Sequence, residues 1–233
     1  MADVLVLKGS PAIEARVRRN PRTRRLSLRV SSLDGRVTLS LPRSVPLCEA
    51  QAFLEDRADW LRSALAAQPE QVCVAPGVTL PVGGQTRPVQ EISRGRAQIT
   101  DHAVFVKARK PAGPQVAALL RRHALDALSD RCAHYGGLVG RIPEKISLRD
   151  ARSRWGSCTA TGRLMFSWRL AMAPVEILDY VAAHEVAHLR EMNHGPRFWQ
   201  LVQEICPDFQ TRRAWLHTHG AELHRYRFEE KGP

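Results

Sequence analysis

The stretch HEVAHLREMNH, from His184 to His194, holds three histidines and two glutamates in eleven residues. On a helix, residues four apart stand one above the other, about 6 Å along the axis. His184 and His188 therefore present two imidazoles to one point, where both can reach a single divalent ion at about 2.0–2.1 Å. Glu185 is rotated around the helix from the first histidine, so its carboxylate can face a water at that ion without ligating it. A hydrolytic site keeps three protein ligands and one open position. His194, six residues beyond His188, supplies the third only if the helix stops and the chain folds back. EMNHGP, from Glu191 to Pro196, provides for that: Asn193 and Gly195 accept left-handed backbone, and Pro196 blocks a smooth continuation. His184, His188 and His194 are the expected metal ligands, zinc the expected ion and Glu185 the expected general base.

Outward from this stretch, Pro174 opens the helix at a position suited to proline, and Ile177 and Val181 share the histidine face. Two more helices are expected, one from Pro196 with Phe198, Trp199 and Val202, one after Pro207 with Trp215 and Leu216, ending near Gly220. Their aromatic residues read as core, and His217, His219 and His224 as surface or packing groups. Upstream, KISLRD and RLMFSWRLA read as strands. A long amphipathic helix carries Val116, Leu119, Leu120, Leu128 and Tyr135, with Gly136-Gly137 as its stop. KPAGP, Lys110 to Pro114, reads as a joint, and from Pro69 to Pro114 short alternating runs such as RAQITDHAVFVKA suggest small strands.

Nearer the N-terminus, RRLSLRVSSLDGRVTLSLP alternates with period two. Leu26, Leu28 and Val30 match Val37, Leu39 and Leu41 across a turn at Asp34-Gly35, which predicts a β-hairpin with one apolar and one basic face. SVPLCEAQAFLEDRADWLRSALAAQ has helical spacing through Phe53, Trp60, Leu61 and Leu65. The fold class expected is α+β. Residues 1–113 form a small β-rich N-terminal half with one helix and an Arg-rich hairpin, and residues 114–233 a helix and strand catalytic domain.

Composition sets bounds on partners. The 233 residues carry a formal net charge of +12. From Arg16 to Arg29 there are seven arginines and no acidic residue, a surface that attracts polyanions such as nucleic acid, acidic proteins or phosphorylated ligands. The five cysteines form no C-x-x-C pair, which excludes a cysteine zinc knuckle and a disulfide framework and fits a reducing cytoplasm. MADVLVLKGS lacks the length and cleavage site of a signal peptide, and no segment reaches the apolar length of a membrane span.

Arg149 to Phe209 resembles the YgjP-like metallopeptidase family, minimal zincins related to SprT-like and WLM-type proteases. The resembling pieces are RWGSC (Arg154 to Cys158), DYVAAHEVAHL (Asp179 to Leu189), NHGPRFW (Asn193 to Trp199) and the trailing CPDF. The Arg-rich hairpin and the helix containing DWL resemble the family's N-terminal half. The resemblance implies a zincin-like catalytic domain, zinc on His184, His188 and His194, and peptide hydrolysis with Glu185 as base. Metzincins carry a glycine where this chain has Glu191, which sets it apart from them, and Ser167 stands where asparagine is common in the family. In zincins a strand beside the metal helix takes substrate by strand addition, and RLMFSW, Arg163 to Trp168, is the strand expected here. Arg154 and Trp155 are the expected substrate-binding residues. Arg152 or Arg154 can hold a carboxylate or phosphate, or the arginines can pair with Asp150 or Asp179. Cys158 reads as a small buried hydrophobe. The expected substrate is a polypeptide. The alternative is a zinc-dependent hydrolase of nucleotides or other phosphoanhydrides using the same site. A nucleic-acid-binding module with purely structural zinc fits less well, because structural zinc usually has four protein ligands.

Overall fold

Ile13, Ala15 and Val17 alternate with Glu14, Arg16 and Arg18, the period that a half-buried strand requires. In the computed structural model, which describes residues 3–31, 35–67 and 70–229, they form β2 (Ile13–Arg19), antiparallel to β1 (Val4–Leu7). The expected hairpin is present as β3 (Ser27–Val30) and β4 (Val37–Leu41), with Leu28 opposite Leu39 and Val30 opposite Val37. Asp34 of its turn, like Pro69 further on, lies outside the described residues. The sheet is larger than the hairpin, because β2 pairs parallel with β4 to give the order β1-β2-β4-β3. Its inner face buries Leu7, Ile13, Ala15, Val37, Leu39 and Leu41 against two helices, α1 (Leu47–Asp56) and α2 (Ala58–Ala66).

The sequence predicts one helix there; the structure has two, because the backbone leaves helical geometry at Arg57 (φ −98°, ψ 14°). Ala50, Leu54 and Leu61 face the core, and Trp60 lies off that line with 49% of its surface exposed. These elements make up one unit, Met1–Glu70; the second is Gln71–Pro233. The expected joint at Lys110 to Pro114 falls inside the second unit. There the Gln115 side chain bonds the backbone of Lys107, Lys110 and Pro111, and Val104 and Val106 share one core with Val116.

The second unit begins with β5 (Val72–Cys73), then β6 (Thr79–Val82), β7 (Gln85–Ile92), β8 (Gln98–Ile99) and β9 (Val104–Lys107). The last four form a sheet in the order β6-β7-β9-β8. The β6–β7 turn is Gly83-Gly84, both with positive φ (59° and 78°), as a two-residue hairpin requires. Gly83 N–H donates to Ala171 O (2.8 Å) and Gly84 N–H to Met172 O (3.3 Å). A Cβ on Gly84 would stand 2.9 Å from the Pro174 Cα. The hairpin tip thus abuts the residue that opens the histidine helix.

Helix α3 (Ala112–Val139) runs through Gly136-Gly137 and ends at left-handed Gly140. Gly136 serves a close approach instead of a stop, since a Cβ there would lie 2.9 Å from Arg141 O. Strands β10 (Lys145–Arg149), β11 (Gly156–Cys158) and β12 (Arg163–Ser167) follow, in the order β10-β12-β11. After a buried 3₁₀ turn at Trp168–Met172 come α4 (Val175–Ala187), α5 (Pro196–Ile205) and α6 (Phe209–His219). The short β13 (Tyr226–Arg227) pairs with β5. The architecture is mixed α+β, with strands mostly in the N-terminal half. No described helix is long and apolar enough to cross a membrane.

Buried Arg169 ties the 3₁₀ turn to two other segments. Its Nε and Nη2 donate to the Asp150 carboxylate (2.7 and 3.2 Å), and its Nη1 donates to Leu223 O and Tyr226 O (2.9 and 3.0 Å). The closest cation on the Asp150 carboxylate is thus Arg169, an arginine that the sequence reading did not single out. Burial raises the Asp150 pKa, but the Arg169 guanidinium outweighs it and leaves the carboxyl below its ordinary value. Arg169→Met is expected to destabilise the protein by about 3 kcal/mol, because two carbonyls and a carboxylate lose their donor together. Urea midpoints at neutral pH measure this. A carboxyl whose pKa is depressed on folding stabilises above its ordinary pKa and loses that contribution as pH falls through the lowered one. The gap between wild type and Arg169→Met should therefore narrow on acidification below the usual aspartate range.

Candidate metal centre

Helix α4 buries Ile177, Val181, Ala182, Ala183 and Val186, which holds its last turn rigidly in the core. His184 lies in that turn and His188 caps it. The helix closes by tightening: Leu189 N–H donates to Val186 O (2.9 Å), and Arg190 and Glu191 N–H both donate to Ala187 O (3.1 Å each). Neither Asn193 nor Gly195 has positive φ, so the fold-back does not use the left-handed residues expected for it. Gly195 is extended (φ −81°, ψ −177°) and caps α5, with Pro196 as its first residue.

The fold-back brings His194 to the other two. One ring nitrogen from each of His184, His188 and His194 lies within 4.8 Å of the others, so the group can hold a metal ion. Nε2 of His184 and Nε2 of His194 approach to 3.0 Å. His188 Nδ1–H donates to Glu191 O at 3.0 Å, which leaves Nε2 with its lone pair for a metal, as ligating histidines usually do. Nδ1 of His184 is buried with no hydrogen-bond partner among the described residues. Burial, reinforced by His188, His194 and Arg213, lowers the His184 pKa to about 3. Burial also lowers that of His188. Both imidazoles are therefore neutral at pH 7, the form that binds a cation. Among the described residues this donor set fits a nitrogen-ligated divalent metal.

Phe198, which the sequence assigns to the core, supports the whole cluster. It is fully buried, and its ring centroid lies 4.9, 4.4 and 4.8 Å from those of His184, His188 and His194. Trp199 flanks His184 and His194 at 5.8 and 5.7 Å. The signal in the sequence was its place one turn after His194, on a helix that must return to α4.

Glu185 shares a cleft with the histidines. The cleft, about 480 Å³, is lined by Ser153, Arg154, Gly156, Ser157, Cys158 and Met192 besides Glu185 and the three imidazoles. Glu185 is 6% exposed. Burial raises its pKa to about 8, with the Arg154 guanidinium pulling the other way. Its side chain lies against Gly156, where a Cβ would come within 2.5 Å of both Glu185 Cγ and Oε1. A glycine between Trp155 and Ser157 was legible as a point of close backbone approach, but not its partner.

The strand beside the site differs from the one expected. Arg163–Ser167 is the central strand of its sheet, hydrogen-bonded on both sides, and so has no free edge for strand addition. Of the two edge strands, β11 is the one on the cleft, and its three residues all line it. Ser167 is fully buried, and its N–H donates to Trp155 O (2.8 Å). Arg154 lies in the cleft lining. Trp155 turns away: its ring packs on His224, centroids 5.2 Å apart, and closes on Gly220. Cys158 is half-buried and lines the cleft. Asp179 bonds no histidine; its carboxylate bridges Arg131 (3.3 Å) and Arg212 (2.8 Å), tying α4 to α3 and α6. His224 is buried packing, and His219 pairs with Glu222 (3.1 Å).

The sequence profile of the YgjP-like metallopeptidase domain matches residues 24–219. No curated protein matches the chain.

Proposed function

The chain belongs to the YgjP-like metallopeptidase family, and from that premise we propose that it is a zinc-dependent peptidase with Glu185 as general base. One observation carries this reading: a buried carboxyl shares a cleft with three clustered imidazoles and an edge strand. His184, His188 and His194 would hold the ion, and an all-imidazole donor set suits zinc better than calcium or magnesium. When bound, zinc supplies Lewis acidity, acidifying water and polarising a carbonyl.

The chain's own residues account for the rest. Substrate lies along β11 as an added strand, its backbone bonding that edge. The Glu185 carboxylate takes a proton from the attacking water and delivers it to the leaving amine. A pKa near neutrality, which burial gives Glu185 and Arg154 restrains, suits a group that must both accept and return a proton. Arg154 forms no ion pair among the described residues, and its guanidinium binds an acceptor on the substrate. Trp155 acts through packing, holding the β11 entry so that Gly156 meets Glu185.

A second reading rests on Arg154 together with Arg149, which line an adjoining groove. Two arginines beside the centre also suit a phosphoanhydride, which makes a nucleotide the alternative substrate. An unfolded polypeptide and a panel of nucleoside triphosphates, each given to zinc-loaded and chelator-stripped protein, separate the two. Chelator-sensitive peptide cleavage restored by zinc supports the peptidase. Triphosphate hydrolysis without cleavage moves the assignment to the second reading, and inactivity on both substrates overturns the hydrolase.

Gly156→Ala gives a sharper check. The added Cβ must displace the Glu185 side chain, and a catalytic group misplaced by about 1 Å costs on the order of 10²-fold. Turnover should fall by that factor with zinc content unchanged. Wild-type turnover in Gly156→Ala would detach Glu185 from the reaction.

A further inference from the structure

On the outer face of the first unit's sheet, Arg16 of β2 lies beside Thr38 of β4, and Thr38 beside Arg29 of β3. One row along, Arg18 lies beside Ser40, and Ser40 beside Ser27. The intervening Ala15, Val17, Val37 and Leu39 are buried on the other face, so these rows point outward. The face is a lane with a floor of short hydroxyl side chains on β4 and arginines on the strands to either side. Strand spacing puts Arg16 and Arg29 about 10 Å apart across the lane, and Arg16 and Arg18 about 7 Å apart along it. Arg22, Arg24 and Arg25 are exposed on the β2–β3 connection.

The seven arginines of the Arg16–Arg29 run divide by role. Arg19 is structural: its Nη1 donates to the carbonyls of Pro42, Arg43 and Val45 at 3.5, 3.0 and 2.8 Å. The side chains of the other six form no ion pair or hydrogen bond among the described residues. Glu14, beside Val6 on the same face, bounds the lane at one end.

The lane's chemistry selects its partner. Guanidinium and hydroxyl groups are the side-chain donors that take phosphate oxygens. Residues 1–52 contain no Phe, Trp or Tyr, so the face offers neither a platform for stacking unpaired bases nor an aromatic anchor for a protein partner. We propose that this face binds the phosphate backbone of a nucleic-acid duplex, without reading its sequence. The proposal does not depend on the metal centre.

Fluorescence anisotropy of the full chain with a labelled DNA duplex of about 20 bp tests it across about 50–200 mM salt. Two triple variants remove equal charge. Arg16→Ala, Arg18→Ala and Arg29→Ala empty the lane, and Arg94→Ala, Arg96→Ala and Arg122→Ala strip exposed arginines of the second unit. The lane variant should bind at least about 10-fold more weakly, and its slope of log affinity against log salt should shallow by about 3. The control should change less than about twofold, and two unrelated duplex sequences should bind alike. Unchanged binding by the lane variant, or an equal loss in the control, overturns the proposal. So does displacement of the duplex by polyglutamate at matched charge, which would make the face a site for acidic protein. Tighter binding of a single strand would overturn the duplex assignment. All six substituted arginines are exposed, and circular dichroism of both variants should match wild type.

Discussion

Glu185→Gln is expected to lower kcat by about 10²–10⁴-fold, the usual contribution of acid–base catalysis, while the protein binds its metal as before. The substitution keeps the length and shape of a side chain that is buried against Gly156, so neither the edge strand nor the imidazole cluster has reason to move. What changes is the proton. A glutamine amide cannot take one from water at neutral pH, and no other described carboxylate lines the cleft to replace it. Hydrolysis under saturating substrate, with zinc content per chain measured in parallel, separates the two effects. Turnover close to wild type would remove Glu185 from the mechanism. Loss of zinc along with turnover would make it a structural residue of the metal site.

His188→Ala attacks the other half of the centre, and there the metal itself should go. The ring supplies one of three clustered nitrogens, is oriented by its bond to Glu191 O, and stacks on Phe198. Altering a group behind a ligand typically costs 10–100-fold in affinity, so deleting the ligand itself should cost at least about 10²-fold. Zinc should raise the melting temperature of wild type, because an ion that binds only the folded chain stabilises it by mass action. That increment should vanish in His188→Ala. His217→Ala serves as the control, since His217 lies outside the clustered group and its loss should leave zinc binding intact. Tight, stoichiometric zinc in His188→Ala would refute the ligand assignment.

Much of this centre was legible in the sequence because its determinants are local. A four-residue offset, a proline at a helix start and an apolar stripe act between residues within two turns of each other. They place His184, Glu185 and His188 on one helix end, and they forecast a return of the chain to bring in His194. The same holds for Leu28 and Val30 against Leu39 and Val37, where period-two alternation sets the register of the hairpin. Even so, the turn after His188 was reached by a different route. Three N–H groups bond back to Val186 and Ala187, and the left-handed conformations that Asn193 and Gly195 could adopt are not needed.

The tertiary structure decided what periodicity cannot encode. KISLRD and RLMFSWRLA read as strands in the sequence and Gly156–Cys158 did not, and which strand is central depends on pairing between distant segments; the structure puts β12 in the middle and leaves β11 as the edge on the cleft. Gly156 meets Glu185 across twenty-nine residues of chain. The Gly83-Gly84 tip abuts Pro174 across a still longer span. Phe198 sits under three imidazoles because α5 folds back on α4, and Trp155 packs on His224 and not in the cleft lining. The sequence by itself determined the three-histidine, one-carboxylate motif and the elements that bear it. Sheet order, the strand edge on the cleft and the packing behind each imidazole came from close approach in three dimensions, where burial and shape, not spacing along the chain, select the neighbour.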